Sequence, residues 1–358
     1  MRVNWSRVIV NKKTRSVRGR TPRCVWGAAL LVVSAVSSFA QNPDRLHTFF
    51  AQNMGLKDSE IADIDQGKAV AKILESPTPS EVFVFGSVFI NAQPSAYMQM
   101  AGDMDRLKSL PNYVGIRRFS DPPQPSDLAG FELDADDVDD LKKCKPEDCD
   151  IQLPAEEIEQ FRSQIDWSGA DPVGQVNNLA RKMALEGLLA YQKGGNAALG
   201  THRDKKSPAQ VSKQFHALLS RSNLLLERLP AFYSYLLDYP DASLPDSTSF
   251  FYWEKVKFGL KPTLRINQQI AARATGEQGP VDVVAIKQLY ASHYFQTALD
   301  LSFCAPGKTG GFYLVTVKGS EQAGLTGVKG SMVRKVAVDK TRSSLEKSLD
   351  ATKAQLEK

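Results

Sequence analysis

The chain has 358 residues, of which 42% are hydrophobic and 24% charged, a composition that excludes a disordered or low-complexity protein and suits one large domain or two ordinary ones. Its 45 lysines and arginines exceed its 40 aspartates and glutamates, but eight of the bases lie between Arg2 and Arg23. The remainder holds 37 bases against 40 acids, about −3, which removes the basic surface that nucleic-acid binding requires.

The first forty residues contain no acid, and an apolar run from Cys24 to Phe39 follows their basic segment. With small residues at Ser38 and Ala40, this pattern reads as a secretory signal cleaved after Ala40. The alternative keeps residues 25–39 as a membrane anchor, positive end inside. Those fifteen positions include Ser34, Ser37 and Ser38 and fall short of the roughly 20 apolar residues of a spanning helix. The chain is expected to be exported, periplasmic or extracellular, with anchoring to the inner membrane as the alternative.

Residues 41–79 are predicted to be an amphipathic helical segment, with Leu46, Phe49, Phe50, Ile61, Ile64 and Val70 at helical spacing before Pro77 and Pro79 break it. Glu81 to Ile90 alternates valine and phenylalanine without an internal charge, the pattern of a strand buried on both faces. A helix through Tyr97, Met100, Met104 and Leu107 should end before Pro111, followed by strands at Tyr113–Phe119 and Leu128–Leu133. Five aspartates between Asp134 and Asp140 lack the glycine and terminal glutamate of a calcium loop and read as a solvated helix start.

The sequence Cys144-Lys-Pro-Glu-Asp-Cys149 suits a small disulfide loop in an oxidising compartment, since Pro146 turns the chain. No histidine lies near enough to make it a metal site. Cys304 reads as a buried apolar thiol. Residues 154–240 are largely helical, with one apolar face through Leu179, Met183, Leu188 and Tyr191 and a richer one from Val211 to Leu237 that includes Leu224, Leu225 and Leu226. His202 reads as a loop residue and His216 as a helix-surface one.

The period then changes to two. Strands are predicted at Ser249–Phe258, Leu264–Ala271, Val283–Phe303 and Gly311–Lys318, and a helix with Leu345, Leu349 and Leu356 at helical spacing closes the chain. Gly307-Lys-Thr-Gly-Gly311 precedes a strand and lacks an upstream glycine, so it reads as a hairpin connection and not a phosphate loop.

This order predicts an α+β fold in which a curved antiparallel sheet packs on a long C-terminal helix, with an inserted helical block. The segments are residues 1–40, 41–79, 80–153, 154–245 and 246–358, the fourth being the helical insertion or subdomain. The element order over most of Glu81 to Lys358 resembles the helix-grip arrangement of START-like and Bet v 1-like domains. That resemblance implies an apolar cavity enclosed between the sheet and the terminal helix. The helical block from about Pro154 to Pro240 departs from the family plan.

No catalytic, cofactor or metal motif appears in the sequence. Aromatic residues gather on the predicted sheet, and Tyr252, Tyr290, His293 and Tyr313 are the candidate ligand-binding residues. The leading expectation is a non-catalytic exported protein that binds an apolar or lipid-like ligand. An envelope structural or interaction protein is the alternative. A hydrolase or cyclase-type enzyme built on His293 and nearby carboxylates is the third.

Overall fold

The alternation of valine and phenylalanine in one strand sets the layering of the molecule. That strand, β2 (Glu81–Ile90), is buried along almost its whole length. The computed structural model describes residues 43–76, 78–221, 229–258, 261–276, 279–307, 310–325 and 327–358. The leader with its cleavage at Ala40, Pro77, Leu224 to Leu226, and the Lys308-Thr309 pair of the hairpin connection lie outside the described residues.

The other strands are β1 (Val70–Leu74), β3 (Tyr113–Arg118), β4 (Thr201–His202), β5 (Ala209–Gln210), β6 (Ser247–Lys257), β7 (Pro262–Gly276), β8 (Gly279–Ala291), β9 (Phe295–Pro306) and β10 (Phe312–Gln322). Eight of them form one sheet in the order β1-β2-β10-β9-β8-β7-β6-β3, and β4 and β5 pair separately. Every neighbouring pair in the large sheet is antiparallel.

Because side chains alternate along a strand, Val82, Val84, Val88 and Ile90 face one side and Phe83, Phe85 and Phe89 the other. The closing helix α10 (Gly327–Leu356) packs on the valine side through Leu345 and Leu349. Its close approach depends on Gly86, where a Cβ would stand 2.8 Å from both leucine side chains. Tyr97 of α3 (Pro94–Ala101) joins the same cluster beside Phe312.

The phenylalanine side is covered in three places. Near β2 and β10 lie α1 (Pro43–Gln52) and α2 (Asp58–Asp65), with Phe50, Ile61 and Ile64 against Phe85 and Tyr313. Over the centre, α8 (Val211–Ser220) and α9 (Pro230–Asp238) set Phe215, Leu219 and Phe232 among Ile270, Ala285 and Leu301. Over β6 to β8, α5 (Ala135–Lys143), α6 (Ala155–Gln164) and α7 (Pro172–Gly194) bury Leu141, Phe161 and Leu188 with Trp253, Ile266 and Leu289. The fold is therefore α+β, a large antiparallel sheet with a long C-terminal helix on one face and the helical block on the other.

Cys144 and Cys149 form the expected disulfide, with Cα atoms 4.5 Å apart. Cys304 is a buried free thiol. No helix among the described residues is long and apolar enough to cross a membrane.

Four local expectations are corrected. Residues 70–74 are an edge strand and not helix, because Gly67 at φ 78° ends α2's C-terminal turn and the ladder of β2 takes Val70–Leu74 as its partner. The helix through Tyr97 and Leu107 is two helices, α3 and α4 (Met104–Lys108), separated by Gly102 and by Asp103, whose carboxylate caps Arg106 N at 3.0 Å. Residues 128–133 are no strand: a 3-10 turn at Pro125–Leu128 and Gly130 at φ 84° break the extended path, although Leu128, Phe131 and Leu133 are still buried. Residues 283–303 are two strands, because Tyr294 takes φ 64° in the turn between β8 and β9.

Candidate functional site

The helical block does not close completely on the sheet. Between α6, α7 and the ends of β7 and β8 lies a cavity of about 260 Å³. Phe161, Leu188 and Met183 line it from the helices, and Leu264, Ile266 and Tyr290 from the sheet. The remaining wall comes from residues flanking the disulfide, Leu141, Ile151 and Leu153. The wall is thus mainly apolar, which is the usual make-up of a small-molecule site.

Its polar groups are few and specific. Glu156 and Glu157, in the first turn of α6, reach the cavity together with His202 of β4 and the Tyr290 phenol. Burial, reinforced by the carboxylates of Glu156 and Glu186, raises the Glu157 carboxyl to about 7. Burial lowers His202 to about 4, so its imidazole is neutral at neutral pH. Its Nδ1 is buried with no hydrogen-bond partner. The His202 ring meets the Tyr290 ring edge-on at 6.3 Å. Burial, with the negative charge of Glu157, lifts the Tyr290 phenol well above the ordinary tyrosine range.

One cavity residue also joins a polar plug beneath α7. Tyr191 OH donates to Gln268 Oε1 at 2.8 Å and accepts from Lys287 Nζ at 2.8 Å. The Lys287 amine, with 0% of the residue exposed, also donates to Asn196 Oδ1 and to Leu236 O, and sits 4.2 Å from the centroid of the Phe215 ring. Among the described residues no carboxylate pairs with it, and burial pulls its pKa well below that of an ordinary lysine. The plug joins β7, β8, α7, Asn196 in the 3-10 turn that follows α7, and Leu236 near the end of α9.

The four residues singled out on the sheet do not share one site. Tyr290 lines the cavity. Tyr252 is buried on the opposite face beside Glu254, its ring 6.1 Å from Phe250. Tyr313 packs between Phe50 and Phe89 and donates to Asp65 Oδ1 at 2.7 Å. His293, in the β8–β9 turn, is 5% exposed and held by Asp150 O through Nδ1 and Asp137 Oδ1 through Nε2, each at 3.1 Å.

The aspartate run is thus not only a solvated helix start. Asp137 is buried on the inner side of α5, beside Val138 and Leu141. Burial would raise its carboxyl, but the hydrogen bonds and charges of His293 and Lys261 outweigh that and hold it below the usual carboxylate range. The other correction is His202, expected in a loop and found buried in the cavity wall. His216 is exposed on α8, as expected.

Among the described residues no cluster of histidine, cysteine, aspartate and glutamate is able to hold a metal ion. No protein-family model matches the sequence, and no curated protein is similar to it.

Proposed function

We propose that this chain is an exported, non-catalytic protein that binds a small apolar molecule in the cavity beneath α6 and α7. The cavity itself carries the reading: about 260 Å³ with a mainly apolar wall and a few buried polar groups. An engineered apolar cavity of about 150 Å³ accommodates benzene, so this one suits a molecule with on the order of ten heavy atoms. A whole membrane lipid exceeds that volume, whereas a single ring with a short tail does not. The disulfide between Cys144 and Cys149 supports export, because such bonds persist in oxidising compartments.

The helix-grip resemblance would put the ligand under the terminal helix. The proposal moves it to the opposite face, since α10 lies directly on Gly86. The test is displacement of an apolar fluorescent dye from the purified protein, together with mass spectrometry of organic extracts. Saturable displacement by single-ring compounds supports the proposal, and a protein that neither takes up the dye nor carries an extractable molecule overturns it.

A second reading, an envelope interaction protein, draws on one observation. Met332, Val333 and Val336 of α10 are 74%, 55% and 55% exposed and share one outward stripe. Cross-linking in cells tests it: a discrete complex lost on serine substitution of the three supports it, and an uncross-linked chain counts against it.

A further inference from the structure

We infer that the ligand of this cavity is a cation, an ammonium group carried on an apolar body, held by Glu157 with His202 as a second acceptor. The inference rests on the proposed binding role of the cavity and names the chemistry of its ligand. Three independent features support it.

The first is charge. Glu156 and Glu157 line the cavity, and no lysine or arginine does. Glu186 of α7 adds a third negative charge acting on Glu157, and among the described residues Glu157 has no basic partner. A half-buried carboxylate is ordinarily paired, because leaving its charge without a counter-ion in a poorly solvated place is costly. A ligand cation supplies the missing partner.

The second is the polarity of the buried hydrogen-bonding groups. His202 is 4% exposed, and its Nδ1 lacks a partner. In the neutral ring one nitrogen is an acceptor, which suits an N–H donor. An ammonium brings up to three such donors, whereas a ligand carboxylate brings none and would face Glu157 with like charge.

The third is the wall. Phe131, Phe161, Tyr191 and Tyr290 present aromatic rings around the cavity. Ring faces attract a cation within about 6 Å, by more in a desolvated site than in an exposed one. An aliphatic wall of equal volume would give an apolar ligand the same burial without that preference. The acidic pair alone, as an exposed cluster, would indicate nothing; its place beside an unpartnered buried histidine and aromatic walls gives it meaning.

The experiment is calorimetric titration of the purified, oxidised protein with three compounds of nearly equal size: phenethylamine, phenethyl alcohol and phenylacetate. At about pH 8, where Glu157 is ionised, the amine should bind at least about tenfold more tightly than the alcohol and phenylacetate weakest. Glu157→Gln should bring the amine down to the level of the alcohol and leave the alcohol unchanged. Lowering the pH to about 6 protonates most of Glu157 and should shrink the amine's advantage in the wild type. Burial raises Asp204, whose charge acts on Tyr290, to about 6, so the change seen in Glu157→Gln over the same range measures the share of Asp204. His202 and Tyr290 stay neutral throughout.

Equal binding of amine and alcohol, or an amine affinity indifferent to Glu157→Gln, overturns the inference and leaves the apolar-ligand reading intact. Failure of all three compounds to bind overturns both. Should Glu157→Gln not fold, Glu186→Gln reads the same field from α7, with a smaller loss of amine affinity expected and no loss overturning the inference.

Discussion

Two helices lie on opposite faces of the same sheet, and only one leaves space beneath it. Under α10 the sheet offers Gly86, and Leu345 and Leu349 settle within the distance a methyl group would need. Under α7 the sheet offers Gln268 and Lys287, and the helix answers with Tyr191, a large side chain whose hydroxyl bonds to both. A residue without a side chain lets a helix descend until it is close-packed. A tethered aromatic residue fixes the helix at the height of its ring, and the volume alongside it becomes the cavity.

The largest test of this contrast removes the tether. Lys287→Ala deletes a buried stem and leaves Asn196 Oδ1 without its donor, while Leu236 O keeps its bond from Asn196 Nδ2, so a loss of about 3–5 kcal/mol is expected in urea unfolding. A loss under about 1 kcal/mol would show that Tyr191 alone sets the height. The same amine gives the wild type a pH signature. Its folded pKa is depressed, so below the unfolded value of about 10.4 the unfolded chain binds more protons, and stability rises with pH toward that value. The stability is lost as pH falls through the folded pKa. Unfolding midpoints measured from neutral to alkaline pH should climb in the wild type and climb less in Lys287→Met.

On the other face the sensitive point is Gly86. Gly86→Val places branched carbon where 2.8 Å separates an ideal Cβ from two leucines, and overpacking of this kind costs about 1–3 kcal/mol. Pairing it with Leu345→Ala separates steric from backbone effects. If the leucine truncation does not recover part of the loss, the helix is not what Gly86 accommodates.

The disulfide tests the cavity wall. Cys144 and Cys149 stand between Leu141 and Ile151, which line the cavity. A loop this short constrains the unfolded chain by about 2 kcal/mol in the chain-entropy picture. Reduction should lower the unfolding free energy measured in urea by that much and weaken dye uptake. An unchanged affinity after reduction would show that the wall keeps its shape without the bridge.

How much of this was legible beforehand varies with the range of the interactions. Val82 to Ile90 announced a doubly buried strand, and Leu345 and Leu349 a packed helix, because these patterns are local and periodic. The cysteine loop was legible for the same reason. His202 was not, because β4 is two residues long and is followed at once by the polar stretch Arg203-Asp-Lys-Lys206, so burial came from tertiary packing. Asp137 carried a signal that was available: it lies one helical turn before Leu141, on the face that Val138 and Leu141 bury. Its partner His293 is 156 residues away and has no local trace. Tyr252, Tyr290, His293 and Tyr313 stand apart in the fold because aromatic content marks a sheet, not which of its faces a side chain takes.

The smallest expected effect on stability is the most direct test of the cavity. Ala184 of α7 lines the space, and Ala184→Phe adds a ring there. Filling an existing apolar void returns dispersion contacts that the wall lacks, while imperfect fit takes part of that back. The net change in unfolding free energy should stay within about 1 kcal/mol, while dye uptake is abolished. Overpacking would instead lower stability well beyond that limit and show that the space is too narrow for a ring. Unchanged uptake in a stable Ala184→Phe protein would show that the dye sits elsewhere, on the exposed stripe of α10 in the first instance. His202→Phe sharpens the same point: it replaces an imidazole whose Nδ1 is unsatisfied by an apolar ring, so it should leave stability equal or slightly higher. A residue that costs nothing to remove from the fold, yet lowers amine binding when removed, is one the fold carries for its ligand.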